Sequence, residues 1–267
     1  MMGQSGGPGE ATVWQVKNLL ELKNARRVHI SGNLLTNNWA QAQVGVAVLF
    51  TPRNQDGNCG WCVVEDVTFE DNVMRGVGAG ITILGWDNEK QSQQAKRIRI
   101  RNNEVSDLSD AWGGTGYFLH IMGEPRDVVV DHNTIISPDG AGVISVDGPP
   151  IDGFVFTNNV ARHNLYGIIG ANHSPGMNTV PVFFPTGVIT RNVFAGNLDG
   201  YDYPPGNEFP SVDDFEAHFV DYARGNFRLK PGTDWAGAGT DGKDLGAHIN
   251  QGQGSAPRAP SNPHIVH

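Results

Sequence analysis

The side chains best suited to chemistry fall at a recurring place, just after short apolar strands that open on glycine. Arg53 and Asn54 come first, then Trp86 and Asp87, His120 and Glu124, Asp147, and finally Asn172 and His173. Two carboxylates with an imidazole between them are equipment for general acid and base catalysis. If Asp87 and Asp147 stand level two coils apart, their carboxyls are about 9 to 10 Å from each other, near the spacing used for inverting glycoside hydrolysis. The same pair could instead hold Ca²⁺, which acidifies the C5 proton of a uronate for removal by Arg53 or His120. Arg53, Asp87, His120 and Asp147 are therefore candidate catalytic residues, with Asp87 and Asp147 also candidate metal ligands. Trp39, Trp86 and Trp112 offer faces for stacking on sugar rings, and Asn54, Asn172 and His173 offer hydrogen bonds. A structural alternative stands beside this one, because Asp87-Asn88 and Asp147-Gly148-Pro149 are good turn formers whose side chains can simply close an Asx-turn. The facing of His120 is open by one residue: outward with the row, or buried between Phe118 and Met122.

Such rows exist only if the chain repeats, and it does. Val28-His29-Ile30 is followed by Asn33, Val67-Thr68-Phe69 by Asn72, and Ile98-Arg99-Ile100 by Asn103. Val128-Val129-Val130 then precedes Asn133, Phe154-Val155-Phe156 precedes Asn159, and Val188-Ile189 precedes Asn192. The asparagines are 39, 31, 30, 26 and 33 positions apart, one short three-sided coil plus a loop of variable length each time. Within each strand apolar residues alternate with polar ones, so one face stacks into a continuous core. An amide at the same corner of every coil can donate and accept along the stack, forming an Asn ladder. Downstream of each Asn, a second strand opens at Gly45, Gly80, Gly116, Gly142 and Gly167. No window holds a helical period for long, although Val212 to Tyr222 could form one or two turns.

The expected fold is all-β, a right-handed parallel β-helix of about six coils over residues 16–199. Residues 1–15 form an extension or partial cap, 200–249 a capping segment, and 250–267, with Pro257, Pro260 and Pro263, a mobile tail. The stack begins partway through a coil, which leaves an open end for self-association or for a longer parent chain. A second outward row, Glu70, Arg101 and Asp131 with Arg99 and His132 beside it, reads either as an ion-pair ladder or as an anion clamp. Cys59-Gly-Trp-Cys62 has the spacing of a redox pair or half a zinc site, yet it falls in a loop, where free thiols or a disulfide pin are expected. His29 and His163 stand singly on surfaces, and no HExxH set occurs.

A net charge of −9 argues against nucleic acid or an anionic membrane as the main partner. No apolar run is long enough to span a bilayer. The opening MMGQSGGPGE lacks a basic flank and apolar stretch, so any targeting segment is expected to lie outside the chain.

The run Glu21 to Asn33, then Asn38-Trp-Ala-Gln-Ala-Gln43 and Thr51 to Gly57, resembles secreted bacterial β-helix repeat proteins of the pectate-lyase-like superfamily. The segments Phe227 to Gly232 and Gly239 to Ala247 are similar to the closing part of many such proteins, and the resemblance covers residues 12 to 249. It implies an extracellular or periplasmic setting and a polysaccharide partner, acted on by a lyase or a glycoside hydrolase, with Ca²⁺ as a candidate cofactor. The Asn-Thr-Asp and Gly-His-Gly motifs of polygalacturonase-type hydrolases are absent and the single Asp-Asp pair, Asp213-Asp214, falls in the capping segment rather than on a coil, so a non-enzymatic structural, adhesive or glycan-binding module is the alternative.

Overall fold

The computed structural model describes residues 16–39 and 45–249; the extension 1–15 and the tail 250–267 lie outside the described residues. Six coils of three strands each follow one another. Coil one is β1 (Leu20–Leu22), β2 (Ala25–Ser31) and β3 (Leu34–Asn38); coil two is β4 (Val48–Phe50), β5 (Val64–Glu70) and β6 (Val73–Val77). Coil three is β7 (Ile81–Leu84), β8 (Lys96–Arg101) and β9 (Glu104–Leu108); coil four is β10 (Tyr117–Met122), β11 (Arg126–Asp131) and β12 (Thr134–Ile136). Coil five is β13 (Gly142–Asp147), β14 (Val155–Thr157) and β15 (Val160–Arg162); coil six is β16 (Ile168–Gly170), β17 (Val188–Thr190) and β18 (Val193–Ala195).

The first strands of the coils form sheet I, the second strands sheet II and the third strands sheet III, every pairing parallel. This is the right-handed parallel β-helix that the repeat predicts. Register explains the core. Val48, Ile81, Leu119, Ile144 and Ile168 stack along sheet I, Phe69, Ile100, Val130, Phe156 and Ile189 along sheet II, and Met74, Val105, Ile135, Ala161 and Phe194 along sheet III, all buried.

The corner between sheets II and III is the asparagine ladder. The backbone N–H and side-chain amide of Asn103 both donate to Oδ1 of Asn133, at 3.0 and 2.9 Å, and the amide also reaches the Phe69 carbonyl at 3.1 Å. Each ladder Asn follows a residue in the left-handed region, Gly32, Asp71, Asn102, His132, Asn158 and Arg191, and the ladder amide serves the groups that this turn leaves unpaired. A seventh rung, Asn207, accepts from Asn192 at 3.0 Å twice. Where sheet III turns into sheet I, backbones of neighbouring coils nearly touch: a methyl on Gly114 would come within 2.1 Å of Gly78, so only glycine fits.

The segment after β18 does two jobs. Tyr203 and Phe209 stack on Phe194, and Glu208 bridges to Val193, which closes the last coil. The chain then turns back through α2, following α1 (Val180–Phe183) in sequence and covering Val212–Ala217, and through the antiparallel pair β19 (Phe219–Asp221) and β20 (Asn226–Leu229). Phe215, Phe219, Phe227, Trp235 and Leu245 pack on Ile136, Val160, Val193 and Ala195, the outward residues of sheet III. Residues 240–248 strap this cover to the ladder corner: Thr240 exchanges hydrogen bonds with Asn158, and His248 with Asn102. At the other end Leu20, Leu22, Val28, Ile30 and Leu35 pack on the core but are only partly buried.

Candidate functional site

The stack has three outer faces, which differ in how much of each is covered and in how its charges are met. The C-terminal cover packs on sheet III over coils four to six, through Ile136, Val160, Val193 and Ala195, while on the earlier coils Arg75 is exposed and pairs with Glu104 at 2.9 Å. Sheet II satisfies its own charges between coils. Glu70, Arg101 and Asp131 fall level on successive strands, as the sequence row requires. Glu65 meets Arg26, Arg97 and Lys96 at 3.1, 3.0 and 3.4 Å, and Arg97 also pairs with Asp66 at 2.5 Å. Glu70 takes His29 at 2.6 Å and Arg101. Burial alone would raise the Glu70 carboxyl, but Arg101 and His29 outweigh it and hold the group low. Asp131 pairs with His132 at 2.9 Å and accepts from Thr157 and Asn158 at 2.8 and 2.7 Å. The ion-pair reading fits Glu70, Arg101 and Asp131, while Arg99 beside them is exposed and has no ion pair or hydrogen bond among the described residues.

Sheet I differs. Its outward row runs Glu21, Leu49, Thr82, His120, Ser145 and Ile169, and a second row runs Leu84, Met122 and Asp147. None of its six strands contains a Lys or Arg. His120 faces outward and is half-buried, while Leu119 and Ile121 on either side point into the core, which settles the one-residue ambiguity. Burial pushes its imidazole below the ordinary value, with the charge of Asp147 opposing. Asp147 is the diagonal neighbour, one strand over and two residues on, about 8 Å away by strand spacing and rise. Neither ring nitrogen of His120 has a hydrogen-bond partner among the described residues, which leaves one donor and one acceptor for a ligand.

The expected level pairing of Asp87 with Asp147 does not occur. Asp147 is level with Met122 and Leu84, and Asp87 lies three residues beyond Leu84 in the loop after β7. Its side chain is 1% exposed and fully engaged: Asn54 N–H donates to Oδ2 at 2.5 Å, while Glu89 N–H and Arg53 reach Oδ1 at 2.9 and 3.0 Å. Burial would raise this carboxyl, but those donors outweigh it and hold it low. Arg53 also donates to Asn88, and Asn54 ties its own loop to the next through Gln91 O and Cys59 N. Arg53, Asn54 and Asp87 thus clamp two loops together beside a shallow cavity of about 280 Å³ that Lys23, Gln55 and Glu89 also line. Asp87 and Asp147 do not fit a shared Ca²⁺, and among the described residues no three His, Cys, Asp or Glu side chains gather as metal ligands.

The other candidates are spread out. Trp86 is 41% exposed on the loop after β7, on the side of sheet I where Arg53 and Asp87 lie. Trp112 sits across the opposite corner, its indole over Gly76. Trp39 forms a backbone bridge with Val16 at the first coil. Asn172 takes a left-handed turn after β16, and the His173 ring stands edge-on to Phe183 with Nδ1 at 2.8 Å from Ala171 O. Trp61, which the residue pattern did not single out, is 64% exposed in the loop pinned by a Cys59–Cys62 disulfide. Tyr117, at the start of β10, has its hydroxyl pushed up to about 12, chiefly by burial. His163, expected at the surface, is buried: Nδ1 lies 2.9 Å from Asn164 O and Nε2 2.8 Å from the Tyr203 hydroxyl. The closing segment covers it, and a cavity of about 350 Å³ adjoins it.

Comparison of the chain with protein-family models, with curated proteins and with solved structures finds no match in any of the three.

Proposed function

We propose that the protein holds a polysaccharide lengthwise on the outer face of sheet I and acts on it there or binds it, in an extracellular or periplasmic setting. The observation that carries this reading is His120: an outward, half-buried imidazole with no hydrogen-bond partner among the described residues, at the middle of the face that is neither covered nor ion-paired. A neutral imidazole presents one donor and one acceptor, which matches a sugar hydroxyl. Exposed Trp86 and half-buried Met122 and Ile169 provide apolar surface for the faces of sugar rings. The Cys59–Cys62 disulfide supports an oxidising compartment.

The catalytic form of this reading gives His120 the proton transfer, since Asp87 is committed to Arg53 and Asn54. Product assays separate catalysis from binding. The protein is incubated with neutral and acidic glycans while reducing ends and unsaturated uronates are followed. Reducing ends alone mean hydrolysis, both signals mean a lyase, and binding without either means a carbohydrate-binding module. No binding and no product, for wild type and His120→Ala alike, would remove the reading.

The half-buried first coil favours a second reading, a structural module whose first-coil strands, unpaired on their outer edge among the described residues, pair with another chain. Sedimentation across a range of concentrations tests it, and a monomer throughout would count against it.

A further inference from the structure

The charge pattern of sheet I narrows the ligand, on the reading that this face holds a glycan. A uronate polymer carries a carboxylate on every sugar, and a protein must meet those charges with Arg or Lys, or with a cation shared between protein and sugar. Sheet I supplies neither. Its strands contain no Lys or Arg, and its ionised side chains are Glu21 and Asp147, both acidic. Lys23, just past β1, is already 3.7 Å from Glu21. Arg53, at the corner, is spent on Asp87 and Asn88. No three potential metal ligands gather among the described residues, so a bridging Ca²⁺ has no cradle there.

On sheet II, around a corner, Glu65, Asp66 and Glu70 neutralise Arg97 and Arg101, and Arg99 is exposed beside them; Arg75 lies on sheet III, paired with Glu104. A polyanion on sheet I would therefore meet Asp147 within a molecule of net charge −9, with no Lys or Arg on the strands themselves to offset the repulsion. The groups that sheet I does present are Leu49, Met122, Ser145 and Ile169 around His120, with Thr82 buried between them, apolar surface interrupted by a hydroxyl and an imidazole. That alternation suits sugar rings with apolar C–H faces and hydroxyl rims, and successive coils repeat it about every 4.8 Å.

We infer that the ligand of this face is an uncharged polysaccharide, laid along the axis of the stack, and that uronate polymers are excluded from it. The test is affinity electrophoresis and calorimetry of the full chain with β-glucan, mannan and xylan against pectate and alginate, each at low and high salt and with Ca²⁺ or EDTA. The expected result is binding to at least one neutral glycan, unchanged by salt or EDTA, weakened about tenfold by His120→Ala. Ser145→Trp, which adds bulk to an outward position beside His120 without touching the core, should weaken it by blocking the face. Preferential, salt-sensitive binding of pectate or alginate would overturn the inference while leaving the glycan-binding reading intact. Binding to no glycan would overturn both.

Discussion

Sheets I and II share one backbone plan, with strands in register across six coils and alternate residues buried, yet they spend their outward positions in opposite ways. Sheet II places Glu65, Glu70 and Asp66 against Arg26, Arg97, Arg101 and Lys96, so neighbouring coils neutralise one another. Sheet I has no such pairs between its strands and keeps an imidazole without a partner among the described residues. Solvated ion pairs add little stability, between nothing and about 1 kcal/mol each. Their consequence is more one of specificity, because a face whose charges are already answered offers few unsatisfied groups. The open face is where a ligand can gain most.

The ladder at the corner between sheets II and III ties together the coils that both faces are built on, so the largest effect should come from cutting it. Asn133→Ala removes the acceptor for two Asn103 donors and leaves buried backbone groups unpaired, and a loss of about 3 kcal/mol is expected by chemical denaturation. A loss below about 1 kcal/mol would mean that the corners are held by strand pairing alone. Next is Asp87→Ala, which should cost about 2 kcal/mol through the freed Asn54, Glu89 and Arg53 donors while leaving glycan affinity unchanged. An intact fold with lost binding would return Asp87 to the site.

The pH dependence separates the groups by sign and window. His120 and His163 are held below their ordinary 6.5 by burial, so the unfolded chain binds more protons. The stability they give is complete above about pH 6.5 and is lost as pH falls through their folded values. Asp87 is held below its ordinary 3.8, so its share persists to lower pH and is lost only beneath that value. Thermal melts from pH 7 to pH 5 should show a decline that shrinks in His120→Gln; an unchanged slope would contradict the burial of that ring. The smallest effect belongs to sheet II: Glu65→Gln should change stability by about 1 kcal/mol or less, and less still in high salt.

The ladder was legible because it obeys a period: an Asn three residues after each apolar strand leaves one corner for it. Asn207 escaped because Pro204-Pro205-Gly206 precedes it in place of an apolar strand. Around His120 alternation fails locally, since Phe118 and Leu119 are both buried, so the sequence permits two facings and register decides. Asp87 lies past the end of β7, where loop length rather than strand pairing sets position, and a count of residues cannot place it against Asp147. The cover on sheet III was hidden for a related reason. Phe215, Phe219, Phe227 and Trp235 mark an apolar surface without saying which face of the stack it meets, and it is the outer side of sheet III over coils four to six that they cover.

The most direct test compares one histidine on each face. In an NMR titration with a neutral glycan, the ring signals of His120 on sheet I should shift and saturate, while those of His29 on sheet II, held by Glu70, should stay in place. A shift at His29 with His120 unmoved would contradict the assignment of sheet I as the functional face.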